Sequence, residues 1–289
     1  MPCYHPVPLI NKSQWPVPGT GLQKFSNIMH VPCGKCIGCR MDRSKMWAIR
    51  CVHESKCWEK NAFVTLTYNE EALVTQCPGG SLNKRDFVLF MKKLRRKNGA
   101  KIKYFHCGEY GKDFSRPHHH ACIFNWWPSD ATFWKESESG EKLYKSDSLD
   151  GLWGFGYTIV GNVSEKSAAY VARYIIKKLP GASGSNYYGK REPEYVTMSR
   201  RPGLGAAFLE QYSTDIYPCG SVVLGGQKYK PPRYYDEKYK KINPERLEEI
   251  KNERVSKINP AEQTKARLRA REKCLEARVK QLKRSYEGA

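Results

Sequence analysis

Two short runs, Lys101 to Cys107 and His119 to Phe124, flank a polar stretch from Gly108 to Pro117. Aromatic and apolar residues on both sides of turn chemistry predict an antiparallel hairpin. This pairing constrains the fold more than any other feature, because it rules out a sheet built only from parallel crossovers. Phe63-Val64-Thr65-Leu66-Thr67-Tyr68, Tyr157 to Val163 and Glu194 to Met198 read as further strands. Helical spacing appears between them. From Arg40 to Lys60 the periodic set is Met46, Ile49, Val52 and His53; from Asn83 to Lys97, Phe87, Phe90, Met91 and Leu94 share one face opposite a basic run. A third helix follows Ser164, runs from Lys166 to Leu179, and is closed by Pro180-Gly181. The expected class is α+β, with a central antiparallel sheet flanked by helices rather than a doubly wound parallel one.

The ends differ from the middle. Residues 1–32 hold six prolines and little periodicity, which predicts an extended segment. The stretch from Trp126 to Leu152 is polar and reads as a surface insertion. Beyond Asp236 the chain becomes a charged helical tail interrupted at Pro244 and Pro260, and alternating Lys, Arg and Glu there predict an exposed helix supported by its own ion pairs. The expected organisation is a Pro- and Cys-rich segment with the first helix over 1–60, a main domain over 61–235, and a tail over 236–289.

Net charge is +21. The tail holds 16 basic and 10 acidic residues, leaving 34 basic against 19 acidic on residues 1–235, so the body itself is basic and its natural partner is a polyanion. No run approaches the roughly 18 apolar residues of a bilayer span, and MPCYHPVPLI lacks the pattern of a signal peptide. Eleven cysteines are many, but the number is odd. Cys51, Cys57, Cys107 and Cys122 sit in ordinary helix or strand, which fits a reducing cytoplasm with a thiolate metal site better than a disulfide scaffold.

Arg116-Pro117-His118-His119-His120 opens a strand, so His118 and His120 share one face and His119 takes the other. Two imidazoles bind a metal weakly, and Glu109, across the turn, is the candidate third ligand, leaving positions open for water and substrate oxygens. The triplet alone serves equally well as a polar patch or a pair of structural histidines. In the helix, Tyr170 and Tyr174 lie four apart on one face, and each is followed three residues later by a cation, Arg173 and Lys177. A phenol with a pKa near 10 needs such charge to act as a nucleophile at neutral pH, although tyrosines at this spacing more often pack a core.

The set formed by Phe63 to Tyr68, His106 to Gly111, Pro117 to Phe124 and Tyr170 to Lys178 resembles the HUH endonucleases. The resemblance is closer to the replication initiators of small single-stranded DNA phages of the microvirus (gokushovirus-like) group. Further similarity runs through Val31 to Arg40 and Tyr195 to Gly205, covering most of the chain except the tail. The resemblance implies a ferredoxin- or RRM-like HUH sheet and rolling-circle initiation: a tyrosine attacks DNA, leaving a 5′-phosphotyrosyl link and a free 3′-hydroxyl for a host polymerase, with a helicase as further partner. It implies Mg²⁺ or Mn²⁺ on His118, His120 and Glu109, with Tyr170 and Tyr174 as alternating nucleophiles and Tyr174, which has Lys177 after it, acting first. The place of action would be the cytoplasm of a bacterial host. The family's middle residue between the ligand histidines is normally hydrophobic, and here it is His119.

Cys33, Cys36 and Cys39 stand at zinc spacing, with Cys3 as the expected fourth ligand and His5 the second choice; three reduced thiols are the alternative. Cations and aromatic faces for single-stranded DNA are offered by Lys92, Lys93, Arg95 and Arg96, by Arg200 and Arg201, and by Lys228, Lys230 and Arg233 beside Tyr229, Tyr234 and Tyr235. Three readings fit all of this: a metal-dependent phage nickase, a zinc-stabilised nucleic-acid-binding protein with no catalytic role, and, with the same chemistry, a plasmid initiator, relaxase or transposase of the superfamily it resembles.

Overall fold

The computed structural model describes residues 3–10, 28–99, 101–111, 114–137, 140–177 and 186–281; for 10, 28, 29 and 173–177 it describes the backbone alone. Packing divides the chain into two units, one of Met1–Arg43 with Lys257–Leu282 and one whose described part is Ser44–Ser256. The dividing points differ from the expected 60/61 and 235/236. In the first unit, β1 (Val7–Ile10) pairs antiparallel with β2 (Ile28–Val31), so the Pro-rich start is strand where the chain alternates around its prolines. The division falls inside α1 (Ile37–Ser55).

The second unit carries the main sheet. Its strands are β3 (Asn61–Thr67), β4 (Lys103–Tyr110), β5 (Pro117–Phe124), β6 (Thr132–Glu136), β7 (Lys142–Lys145), β8 (Thr158–Asn162) and β9 (Tyr195–Met198). They lie in the order β6-β7-β8-β3-β5-β4-β9. Every neighbouring pair is antiparallel, the expected β4–β5 hairpin among them. The helices between them are α2 (Glu70–Gln76), α3 (Lys84–Asn98), α4 (Asp147–Trp153) and α5 (Glu165–Lys177). Side-chain oxygens of Asn69, Asn83 and Ser146 cap the first three by accepting from backbone N–H groups of the first turn.

Strand alternation sorts the core into two layers. Ala62, Val64, Leu66, Ala121 and Ile123 face α3 and α4, where Phe87, Phe90, Met91, Leu94, Leu149 and Trp153 are buried. Phe63, Phe105, Cys107, Cys122 and Phe124 face the other way, against Ala48 and Cys51 of α1 and Ala168, Tyr170, Val171 and Ala172 of α5. Two expectations change here. Gly108 to Tyr110 read as turn in the sequence, yet they continue β4, because Gly108 lets the Tyr195 ring lie against the strand; a Cβ there would sit 2.8 Å from that ring. Trp126 to Leu152 is no mere insertion: β7 pairs with β8, widening the sheet, and Leu143 and Leu149 are buried.

The tail reading also changes. α6 (Ala206–Ile216), β10 (Val222–Leu224), β11 (Gln227–Tyr229), α7 (Arg233–Tyr239) and α8 (Pro244–Ser256) follow the sheet in sequence. Ile49, Leu209, Ile216, Tyr217, Val222, Leu224, Tyr235, Leu247 and Ile250 form their common core, so residues up to 256 belong to the folded body. Arg254 seals the end through Asp236 at 2.9 Å. Surface ion pairs of the expected kind are present as well, Arg246–Glu249 at 2.6 Å and Lys251–Glu248 at 3.0 Å. α9 (Lys265–Lys280) lies in the first unit.

Candidate metal centre

β4 and β5 bring the ligands together by register alone: Glu109 stands opposite His118, and Cys107 opposite His120. His118 Nε2 lies 2.6 Å and His120 Nε2 3.0 Å from the same oxygen, Glu109 Oε1. One ligand atom from each of the three residues lies within 4.8 Å of the others. Glu109 and His120 are buried and His118 is half-buried, as for a site reached by solvent from one side. Burial pushes the Glu109 carboxyl up, but hydrogen bonds from His118 and His120 and their charge outweigh it and hold the group well below the usual carboxylate range.

Each imidazole is oriented from behind. His118 Nδ1 donates to the Arg116 carbonyl at 3.1 Å, and His120 Nδ1 meets the Thr65 hydroxyl at 2.9 Å. A protonated His118 donates from Nε2 to Glu109, whereas a neutral ring with its proton on Nδ1 turns an Nε2 lone pair toward the carboxylate oxygen. Only a shared proton or a cation reconciles two such acceptors, so this donor set could hold a divalent metal. Thr65 was missed as a site residue. Its place on one face of β3 with Phe63 and Thr67 was legible from alternation, but its position opposite His120 is set by the register of β3 with β5.

α5 packs across β4, β5 and β9 and carries Tyr170 to the cluster. The Tyr170 ring is buried, 5.1 Å from the His120 ring and 6.2 Å from Phe63, while its hydroxyl donates to Glu109 Oε1 at 3.4 Å. Tyr174, Arg173 and Lys177 lie on the same helix, but their side chains fall outside the described residues.

His119 faces the opposite layer, as alternation requires, and is fully buried. It meets Tyr68 Oη at 2.9 Å through Nε2 and His106 Nε2 at 3.1 Å through Nδ1. Tyr68 donates to Asp86 at 2.8 Å, and His106 Nδ1 meets the Thr197 hydroxyl at 2.9 Å. Burial lowers His119 to about 3 and His106 well below its usual range, with neighbouring histidines adding to both shifts, so both rings are neutral links in this chain. Both nitrogens of this buried histidine are therefore satisfied, one by Tyr68 just past β3 and one by His106 on β4.

The cations of α3 and those that follow β9 lie away from this centre. Lys92, Lys93 and Arg96 are exposed on α3, behind the sheet, and Arg95 is tied to the Ile102 carbonyl at 2.8 Å. Arg200 and Arg201 are exposed just beyond β9, at the end of the sheet away from Glu109. Lys228, Lys230 and Arg233 are exposed, but Tyr235 is fully buried and bonded to His53 at 3.0 Å, so it offers no face to a base.

In the first unit, the sulfurs of Cys3, Cys33, Cys36 and Cys39 lie within 4.8 Å of one another, the four expected residues; His5 instead meets Glu272 at 2.8 Å. Cys3 and Cys36 sulfurs are 3.9 Å apart, close to the roughly 3.8 Å edge of a tetrahedron with 2.3 Å zinc–sulfur bonds. The Cys33 N–H donates to Cys3 Sγ at 3.1 Å and the Cys36 N–H to Cys33 Sγ at 3.3 Å. Burial raises the Cys33 thiol, but backbone N–H donors from Cys36 and Lys35 outweigh it and lower the group to about 7.

The fold and site define an α+β protein in which a histidine–carboxylate ligand set at one end of an antiparallel sheet meets a tyrosine from a crossing helix. Residues 61–179 match the family model of replication-associated protein ORF2/G2P. The chain is 39% identical over 224 residues to replication-associated protein VP4 of Bdellovibrio phage phiMH2K, covering 74% of this chain and 69% of that protein. Replication-associated protein ORF2 of Spiroplasma virus 4 is 35% identical, with 71% of this chain and 66% of that protein covered. For replication-associated protein ORF4 of Chlamydia phage 1 the identity is 32%, over 73% of this chain and 54% of that protein. The chain belongs to this family of phage replication-associated proteins. No solved structure matches it. Among the described residues, no helix is long and apolar enough to cross a membrane.

Proposed function

We propose that the chain initiates replication by nicking single-stranded DNA through a tyrosine, as a metal-dependent endonuclease and strand transferase. One observation carries the reading: the Tyr170 hydroxyl and two imidazole nitrogens all lie within hydrogen-bond distance of one buried carboxylate oxygen. His118, His120 and Glu109 would hold Mg²⁺ or Mn²⁺. When bound, the cation supplies polarisation of a phosphoryl oxygen and neutralises charge that develops on it. Thr65 and the Arg116 carbonyl keep the imidazoles aimed at that position.

The phenol oxygen bonds to phosphorus as the bond from phosphorus to the 3′ oxygen breaks. The phenol proton passes to solvent and the departing 3′ oxygen takes one up. A 5′-phosphotyrosyl link and a free 3′-hydroxyl for the host polymerase result, and attack by a 3′-hydroxyl on the link reseals the strand at termination. Tyr174, about 6 Å along the helix from Tyr170, makes the first nick, and Tyr170 takes the second. Arg173 and Lys177 supply the positive charge that favours phenolate. The cysteine cluster holds a structural Zn²⁺. The DNA partner is single-stranded or locally melted origin DNA, helped by a host helicase, in the bacterial cytoplasm.

The test is incubation with a labelled single-stranded oligonucleotide library and Mg²⁺ or Mn²⁺, followed by a denaturing gel. A covalent adduct is expected that EDTA abolishes, that His120→Ala nearly removes, and that survives Tyr170→Phe or Tyr174→Phe better than the double change. Salt-sensitive retention with no covalent species would instead mark a protein that only binds nucleic acid.

A further inference from the structure

The sheet face that carries the metal ligands continues beyond them. Across the strands, His118 stands opposite Thr67, whose N–H donates to the Tyr157 carbonyl at 3.0 Å, just before β8. His120 stands opposite Thr65, and Thr65 opposite Ile159; the next position outward, by the register of β7 with β8, is Lys145. Alternation therefore places Tyr157 and Lys145 on the same face as His118 and His120. With strands about 4.8 Å apart, Tyr157 is roughly 10 Å from His118, and Lys145 roughly 14 Å from His120.

α5 takes its main contacts from β4, β5 and β9, to one side of the ligands; these residues lie to the other side. Tyr157 is 70% exposed, and among the described residues its ring has no aromatic, cationic or side-chain hydrogen-bond partner. Lys145 is exposed, and its ammonium lies 4.5 Å from the centroid of Trp134 on β6, with Lys135 at 4.2 Å from the same ring. An unpartnered exposed phenol ring next to a metal centre has little reason to exist for stability. An exposed phenol face followed by a cluster of ammonium groups around an indole is the combination that unpaired bases and their phosphates require.

We propose that this face of β3, β8 and β7, with the edge strand β6, is a track for single-stranded DNA running away from the metal centre. Tyr157 stacks a base next to the phosphate at the cluster, and Lys145 with Trp134 holds the strand further out. This rests on the nickase reading for the identity of the ligand, and specifies where the flanking nucleotides lie. Duplex DNA is excluded as the occupant of the Tyr157 position, because its bases are already stacked on each other. A strand is held here without sequence readout, since stacking is available to every base.

The experiment measures binding of the full chain to a fluorescent oligo(dT) of about 20 nucleotides in EDTA, by anisotropy, so that no cleavage contributes. Tyr157→Ala is expected to weaken binding about tenfold while Tyr157→Phe binds as the parent does. Lys145→Ala should weaken it less and reduce the slope of log affinity against log salt by about one. A duplex of the same length should bind Tyr157→Ala and the parent equally. Parent-like oligo(dT) binding by Tyr157→Ala, or an equal loss in Tyr157→Phe, overturns the proposal, as does an equal loss for duplex. Both residues are exposed, and a thermal melt confirms that the variants fold. The nickase reading fails separately, by the absence of an adduct from the parent chain with Mn²⁺, whatever the outcome in EDTA.

Discussion

At the residue scale the candidate site depends on how each imidazole is held, and the two are held differently. His118 leans on a backbone carbonyl, which no side-chain substitution removes, whereas His120 leans on the Thr65 hydroxyl. Thr65 and His120 are both buried, so water cannot replace that hydroxyl without cost. Thr65→Val keeps the shape and removes the hydrogen bond. We expect Mn²⁺ affinity, measured by calorimetry, to fall about 10- to 100-fold, the usual consequence of losing the partner behind a metal-ligating histidine. Unchanged affinity would show that packing against Phe63, whose ring stacks on His120 at 5.7 Å, is enough to orient the ring. The same logic explains His119. A histidine in an otherwise apolar layer is tolerable because Tyr68 and His106 satisfy both its nitrogens.

At the scale of elements, much was legible in the sequence and the failures share a cause. The hairpin and the helix that carries Tyr170 follow from alternation and spacing, which are local signals; the register that sets Glu109 opposite His118 does not, because Gly108 to Pro117 reads as turn. β6 carries no such signal, since all five of its residues are exposed, so a charged edge strand reads as a loop. α8 is anchored by only Leu247 and Ile250, too few apolar positions to separate it from a solvated tail. Gly108 reads as turn chemistry, yet it sits in the middle of the sheet because a distant residue, Tyr195, needs the space its missing side chain leaves. That last case is testable. Gly108→Ala forces the added Cβ against the Tyr195 ring at 2.8 Å, on the pair that joins β9 to the sheet. The expected loss is about 1–3 kcal/mol, read from the shift in urea midpoint at constant slope. A neutral substitution would mean that β9 gives way at no cost and does not brace the Glu109 end of β4.

At the scale of the whole molecule, the two ligand clusters should answer metal removal in opposite ways. Glu109, His118 and His120 are strung on adjacent, fully paired strands of the seven-stranded sheet and keep hydrogen bonds of their own. Stripping a cation from them should cost activity and leave the fold intact. The four cysteines come from two segments of the first unit, around Cys3 and around Cys33 to Cys39, and their sulfurs are only half-buried. That unit's described apolar packing is thin: Val7 and Leu9 of β1 are 47% and 49% exposed. Bound metal would then supply much of the free energy that holds Cys3 to Cys33, as it does in small zinc domains. With the zinc-loaded chain, a strong chelator is expected to release about one equivalent of zinc. It should also open residues 1–43 to protease, while near-ultraviolet dichroism from the buried Trp153 and Phe87 layer stays unchanged. Cys36→Ser should reproduce that pattern without chelator. Zinc-free protein with the same protease resistance would remove the structural role of the cluster, and a simultaneous collapse of the sheet signal would show that the two units do not stand on separate foundations.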